Sequence, residues 1–115
     1  MNINQIKKTI EKILDDNKAI NIVSIDLKKK SYIADYMIIA SGTSSRHIQS
    51  MSDNIVFELK KAGIENCKIE GKESNDWKLV DTIDVIVHIF HPEKRKFYDL
   101  EKMWCDPSNK KEITL

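Results

Sequence analysis

Some chemistries are ruled out by what this 115-residue chain has little of. It has two cysteines, Cys67 and Cys105, far apart and in no C-x-x-C pair. That argues against a disulfide framework, a zinc ribbon and a thioredoxin-type site, and a reducing cytosol is the expected compartment. Net charge is nearly absent: 19 Lys and Arg against 18 Asp and Glu leave +1. Bulk electrostatics therefore do not mark a nucleic-acid binder. No apolar run approaches the roughly 20 residues that span a bilayer, so no membrane association is expected. The first eighteen residues are helix-periodic and polar on one side, unlike a signal peptide. Repeats, linkers and low-complexity segments are missing as well. What is present is 41% hydrophobic and 32% charged residues, the balance of a folded domain with a charged surface. Residues 1–106 are expected to form that single domain and 107–115 a loose polar tail. A core this modest makes a self-association surface unsurprising.

The hydrophobic spacing sets out the elements. Ile3, Ile6, Ile10, Ile13 and Leu14 recur at helical intervals, which predicts an amphipathic helix over about 2–17. The next segment switches to period two: Val23, Ile25 and Leu27 face one way, Ile22, Ser24 and Asp26 the other. The run "YMIIAS" is apolar on both faces, as in a central strand covered on both sides. A turn at Gly42 leads to a helix reaching about Ala62, with Ile48, Met51, Ile55, Leu59 and Ala62 on one stripe and Gly63 as its stop. "NCKIEG" is a short strand. "WKLVD" and "DVIVHIF" are two more, joined tightly around Thr82 and Ile83. In the last, Val85, Val87 and Ile89 form an inner face, and Asp84, Ile86, His88 and Phe90 a mixed outer one. Pro92 ends it, and Phe97, Leu100 and Trp104 stripe a short final helix. The order αββαβββα implies an α+β fold, a small mixed β-sheet packed by helices.

Each candidate constellation admits a functional and a plain reading. Ser41–Ser45 has the shape of an anion nest at a helix start, or of an ordinary Ser/Thr-rich cap. It lacks the second glycine and the lysine of a phosphate-binding P-loop. A nucleotidyltransferase would need two metal-binding carboxylates two residues apart on one strand face. Asp81 and Asp84 are three apart and flank a turn. His88 and His91 diverge at a strand end, His47 stands alone, and no metal-ligand spacing exists, so no metal or cofactor is expected. His88 is either a partner contact or a half-buried polar residue. Neither cysteine has a cationic cluster that would make a reactive thiolate. Lys94, Arg95 and Lys96 form a weak basic run. The stretch 65–84 is more informative. Six acids (Glu65, Glu70, Glu73, Asp76, Asp81, Asp84) against three lysines (Lys68, Lys72, Lys78) give −3. Trp77 stands among them, sharing a strand face with Leu79 and Asp81. It is either a core residue or the anchor of a surface that takes a basic protein.

Three blocks together, "ADYMIIASGTSSRH", "EGKESNDWKLVDTIDVIVHIF" and "RKFYDLEKMW", resemble the ribosomal silencing factor (Iojap-like) family in order and spacing. The resemblance covers residues 2–104. The family pattern D-x-x-I-I-x-x-G-x-S-x-R-H is matched by Asp35, Ile38, Ile39, Gly42, Ser44, Arg46 and His47. Gly71, Trp77 and Asp81 match G-x-x-x-x-x-W-x-x-x-D, and Asp84, Ile86, Val87 and His88 match D-x-I-V-H. Tyr98, Leu100, Glu101 and Trp104 match the closing Y-x-L-E-x-x-W. One position departs. The family has glycine just before the second Asp of its D-x-G-D turn, and this chain has Ile83, so that turn is expected to be built differently.

The resemblance implies a non-enzyme with a fold like a degenerate nucleotidyltransferase. It implies a cytoplasmic homodimer that binds the large ribosomal subunit at its protein number fourteen. There it blocks joining of the small subunit and represses translation when nutrients are short. Glu70, Trp77, Lys78, Asp81, Asp84, His88 and Tyr98 would form the docking rim, with Gly42, Ser44, Arg46 and His47 as a structural turn and helix start. Peripheral contact with ribosomal RNA through Arg46 and 94–96 is compatible with this. A nucleotide-binding transferase using the Gly42 turn, or an RNA-contacting assembly factor, are the alternatives.

Overall fold

The computed structural model describes residues 2–28, 34–71, 74 and 76–93. They form α1 (Ile3–Asp16), β1 (Ile20–Asp26), β2 (Tyr36–Ser41), α2 (Ser45–Lys61), β3 (Lys68–Glu70), β4 (Trp77–Asp81) and β5 (Val85–Phe90). The strands make one sheet in the order β1-β2-β5-β4-β3. β2 and β5 run parallel, and the other neighbours are antiparallel. This is the mixed α+β architecture expected from the sequence. The expected final helix and the tail lie outside the described residues, as does Cys105.

Both helices begin and end for local reasons. The Asn2 side chain accepts the Gln5 backbone N–H, and the Gln5 side chain accepts that of Asn2, a reciprocal cap that satisfies two free donors of α1. Ser44 caps α2 by accepting from the His47 N–H. Gly63, at φ +95, takes the left-handed position just beyond it. Ala62, expected at the end of the buried stripe, is instead an exposed C-cap.

One face of the sheet carries Ile38, Ala40, Val80, Val85, Val87 and Ile89 against Ile6, Ile10 and Leu14 of α1 and Ile48, Met51, Ile55 and Leu59 of α2. The opposite face gathers Ile25, Leu27, Met37, Ile39 and Phe90, with Leu79, Ile86 and Ala34 in an adjoining cluster. The outer side of β5, expected to be mixed and half-buried, is buried throughout. Both of its faces therefore serve as core, Val85, Val87 and Ile89 on the helix side and Ile86 and Phe90 on the other.

The β4–β5 turn is closed by its own hydrogen bonds. The Thr82 N–H and hydroxyl both donate to the Val85 carbonyl, and the Ile83 N–H donates to Asp81 Oδ1 at 2.8 Å. Ile83 sits at φ +75. This is a left-handed conformation that glycine would permit, with a β-branched residue in it. That conformation costs an L-residue about 1–2 kcal/mol. At the other end of β4, Gly71 has φ +77.

Candidate functional site

Period two along β4 puts Trp77 on the sheet face away from the helices, and the register sets it directly opposite Phe90. His88, two residues before Phe90 on the same face, completes a group of three rings. The His88 and Phe90 rings are parallel within 1° at 5.6 Å, and Trp77 lies 6.3 Å from His88 and 6.4 Å from Phe90. The Trp77 indole N–H donates to His88 Nδ1 at 3.2 Å. That leaves the neutral imidazole's proton on Nε2, which has no partner among the described residues. His88 is 3% exposed, and its burial lowers its pKa from 6.5 to about 4. Trp77 itself is half-buried.

Gly71 explains why a glycine precedes the tryptophan. A Cβ at Gly71 would stand 2.7 Å from Trp77 Cε3 and 2.9 Å from the Trp77 carbonyl oxygen. The backbone passes under the indole at a distance no side chain allows. Gly71→Ala combines that clash with a left-handed alanine, and about 2 kcal/mol of stability is expected to be lost. Urea denaturation measures it, and an unchanged midpoint would show that the loop relaxes freely.

Lys78, on the alternate face of β4, is 3% exposed. Its ammonium donates to the carbonyls of Gly71 at 2.6 Å and Ser74 at 2.5 Å. Expected as a rim contact, it is instead turned inward and ties Gly71 and Ser74 to the strand. His88, expected on the same rim, is likewise buried. Glu70 is exposed at the end of β3, paired in register with Leu79. Asp81 and Asp84 are half-exposed at the far end of the hairpin, and neither is in an ion pair among the described residues. Four residues of extended strand, about 13 Å, separate Trp77 from Asp81. The expected rim is thus a strip along the β4–β5 hairpin, with the rings at one end and the carboxylates at the other. Tyr98 lies outside the described residues.

The turn before α2 is filled by its own chain. The Thr43 N–H donates to His47 Nδ1 at 3.0 Å, and His47 Nε2 donates to the Asn17 carbonyl at 2.6 Å, joining α2 to the end of α1. The Asn54 side-chain amide donates to the Asn17 side-chain oxygen at 2.8 Å, adding to that joint. Gly42 is there for closeness, since a Cβ would meet Ile48 Cγ1 at 2.7 Å. Arg46 is exposed. The Gly42 N–H donates to Phe90 at the C-terminal end of β5, whereas the Asp84 carbonyl accepts from Asp35 and Tyr36 at the N-terminal end. Six strand residues, roughly 20 Å, therefore part the turn from Asp84. The juxtaposition of Gly-Ser turn and carboxylate pair that nucleotidyl transfer needs is not built. Cys67 is a plain buried thiol whose pKa is raised by desolvation.

The model of the family "Ribosomal silencing factor during starvation" matches residues 1–115. The chain belongs to the ribosomal silencing factor family. A ribosomal silencing factor from Haemophilus influenzae is 48% identical over 92 residues, covering 80% of this chain and 90% of that one. One from Zymomonas mobilis is 47% identical over 97 residues, 84% of this chain and 73% of that one. A crystal structure from Chromobacterium violaceum superposes with a TM-score of 0.87 at 35% identity, covering 97% and 95% of the two chains. Membership makes this a regulator of translation associated with ribosomes, a regulatory rather than a catalytic class. Among the described residues no helix is long and apolar enough to cross a membrane.

The silencing-factor motifs have physical counterparts in the structure. Gly71 and Trp77 are one packing unit, and Asp81 caps the turn that Asp84 leaves. His88 holds the indole, and Ser44 with His47 closes the start of α2. Phe90, the third ring, is part of the site without being part of the motif. Its signal was the period-two spacing from His88.

Proposed function

We propose that this silencing factor docks through the β4–β5 hairpin onto the large ribosomal subunit, at its protein number fourteen. It would thereby block joining of the small subunit and lower translation under nutrient limitation. The observation that carries this reading is the Trp77 shelf. A half-exposed indole is backed by His88 and Phe90 and underlain by Gly71, so it is held in place before a partner arrives. Rigid, partly exposed aromatics at the centre of a contact are the residues that dominate binding energies. Asp81, Asp84 and Glu70 supply negative charge for a basic protein surface. Lys78 and His88 act from below, by fixing the loop and the indole. No cofactor takes part. The factor would act in the cytoplasm as a homodimer, and Arg46 would add at most a peripheral contact to RNA.

Sedimentation of purified subunits through sucrose in Mg²⁺, with and without this protein, tests the reading. Co-migration with the large subunit and a smaller joined-ribosome peak are expected. Protein left at the top of the gradient with joining unaffected would overturn it.

A further inference from the structure

The tip of the same hairpin carries a residue that the docking surface just proposed does not account for. Ile83 is 57% exposed, one of few large apolar side chains in that state among the described residues. It belongs to none of the apolar clusters of the described residues. Its backbone is at φ +75, where a β-branched residue is strained. The strain is not used to bury the side chain, so the folded monomer gains nothing visible from having isoleucine here. Nor is the turn loose. Asp81 Oδ1 fixes the Ile83 N–H, the Thr82 N–H and hydroxyl both grip the Val85 carbonyl, and the Asp84 carbonyl takes two N–H groups from the start of β2. A rigid turn presents an apolar side chain to solvent between two carboxylates that have no ion pair among the described residues.

We infer that Ile83 is a further contact of the docking surface. It is an apolar knob that enters a shallow hollow on the partner, flanked by the basic groups that Asp81 and Asp84 meet. This rests on the proposed docking through the hairpin and adds the partner's local chemistry: a protein surface that is apolar at one point and cationic around it. Six residues from Trp77 to Ile83, at most about 20 Å, fit within one protein footprint of about 800 Å².

The test measures equilibrium binding of the parent, Ile83→Gly, Ile83→Asn and Ile83→Met to large subunits of the same organism, with thermal unfolding alongside. Glycine and asparagine both accept the left-handed turn, and methionine keeps an apolar chain. The glycine and asparagine variants are expected to bind about tenfold more weakly, with the methionine variant close to the parent. The glycine variant's Tm should equal or exceed the parent's. Glycine and asparagine variants that bind like the parent would overturn the inference, as would losses in all three variants that simply follow falling Tm. A parent that does not bind large subunits at all removes the docking reading itself, and this inference with it.

Discussion

Trp77→Ala lowers affinity for large subunits at least thirtyfold, the expected result if the indole is the anchor of the docking surface. Truncating a central aromatic typically costs about 2 kcal/mol or more of binding energy, and 1.4 kcal/mol is tenfold. The substitution also disturbs the fold. The indole packs on His88 and Phe90, and its N–H is the partner of His88 Nδ1. Leaving that buried nitrogen without a donor costs about 1–3 kcal/mol, so Tm should fall as well. Trp77→Phe separates the two effects. It loses the same hydrogen bond and so suffers a similar stability loss, but keeps a ring on the shelf and most of the affinity. Binding is to be measured well below the variants' melting temperatures. A folded Trp77→Ala protein that binds like the parent would remove Trp77 from the interface.

Stability falls by about 3 kcal/mol as pH drops from 6.5 to 4, through His88 alone. Its pKa is lowered in the fold from 6.5 to about 4 because burial disfavours the imidazolium. Between those values the unfolded chain takes up a proton at this site and the folded chain does not. The unfolded state is therefore favoured increasingly as pH falls. Each unit of difference is worth about 1.4 kcal/mol, which sets the total. Above 6.5 the residue contributes no slope. His88→Gln keeps an acceptor for the indole and removes the titration. Subtracting its stability curve from the parent's, by urea unfolding at a series of pH values, isolates the His88 contribution from that of the carboxylates. Parallel curves for the two proteins would show that the ring is protonated in place at little cost. The same charge would disrupt the indole hydrogen bond, since an imidazolium has no acceptor at Nδ1.

The elements were legible in the sequence because they follow from local spacing. The stripes of α1 and α2, the period two of β1 and β4, the double-sided apolar run of β2 and the Gly63 stop all depend on residues within a few positions of one another. The family, too, was carried by motif spacing alone, and the match across residues 1–115 shows it. What local spacing does not carry is how many neighbours a strand has. β5 was expected to offer a mixed outer face, and it stands at the centre of the sheet with β2 on one side and β4 on the other. His88, on that outer face, is 3% exposed.

The site divided along the same line. That Trp77, acids and glycines belonged together was readable as a motif, but its geometry was not. Only the antiparallel pairing of β4 with β5 puts Trp77 over Phe90 and beside His88, and only the return of the chain from β3 lays Gly71 under the indole. Lys78 carried a charge in the sequence and so looked like a surface residue. The carbonyls of Gly71 and Ser74, brought round by the loop, make its burial affordable. Ile83 shows the reverse case. Sequence alone suggested that without glycine the turn would change. The Ile83 N–H donates to Asp81, Thr82 donates to Val85, and the Asp84 carbonyl accepts from Asp35 and Tyr36; together these hold the left-handed conformation against the local preference of the residue in it. Local preference for a conformation is worth a kcal/mol or two per residue, and several hydrogen bonds acting on one turn are worth more. The sequence by itself therefore determined which elements form and which family they belong to. The tertiary structure decided which of the motif's residues face a partner and which hold those residues in place.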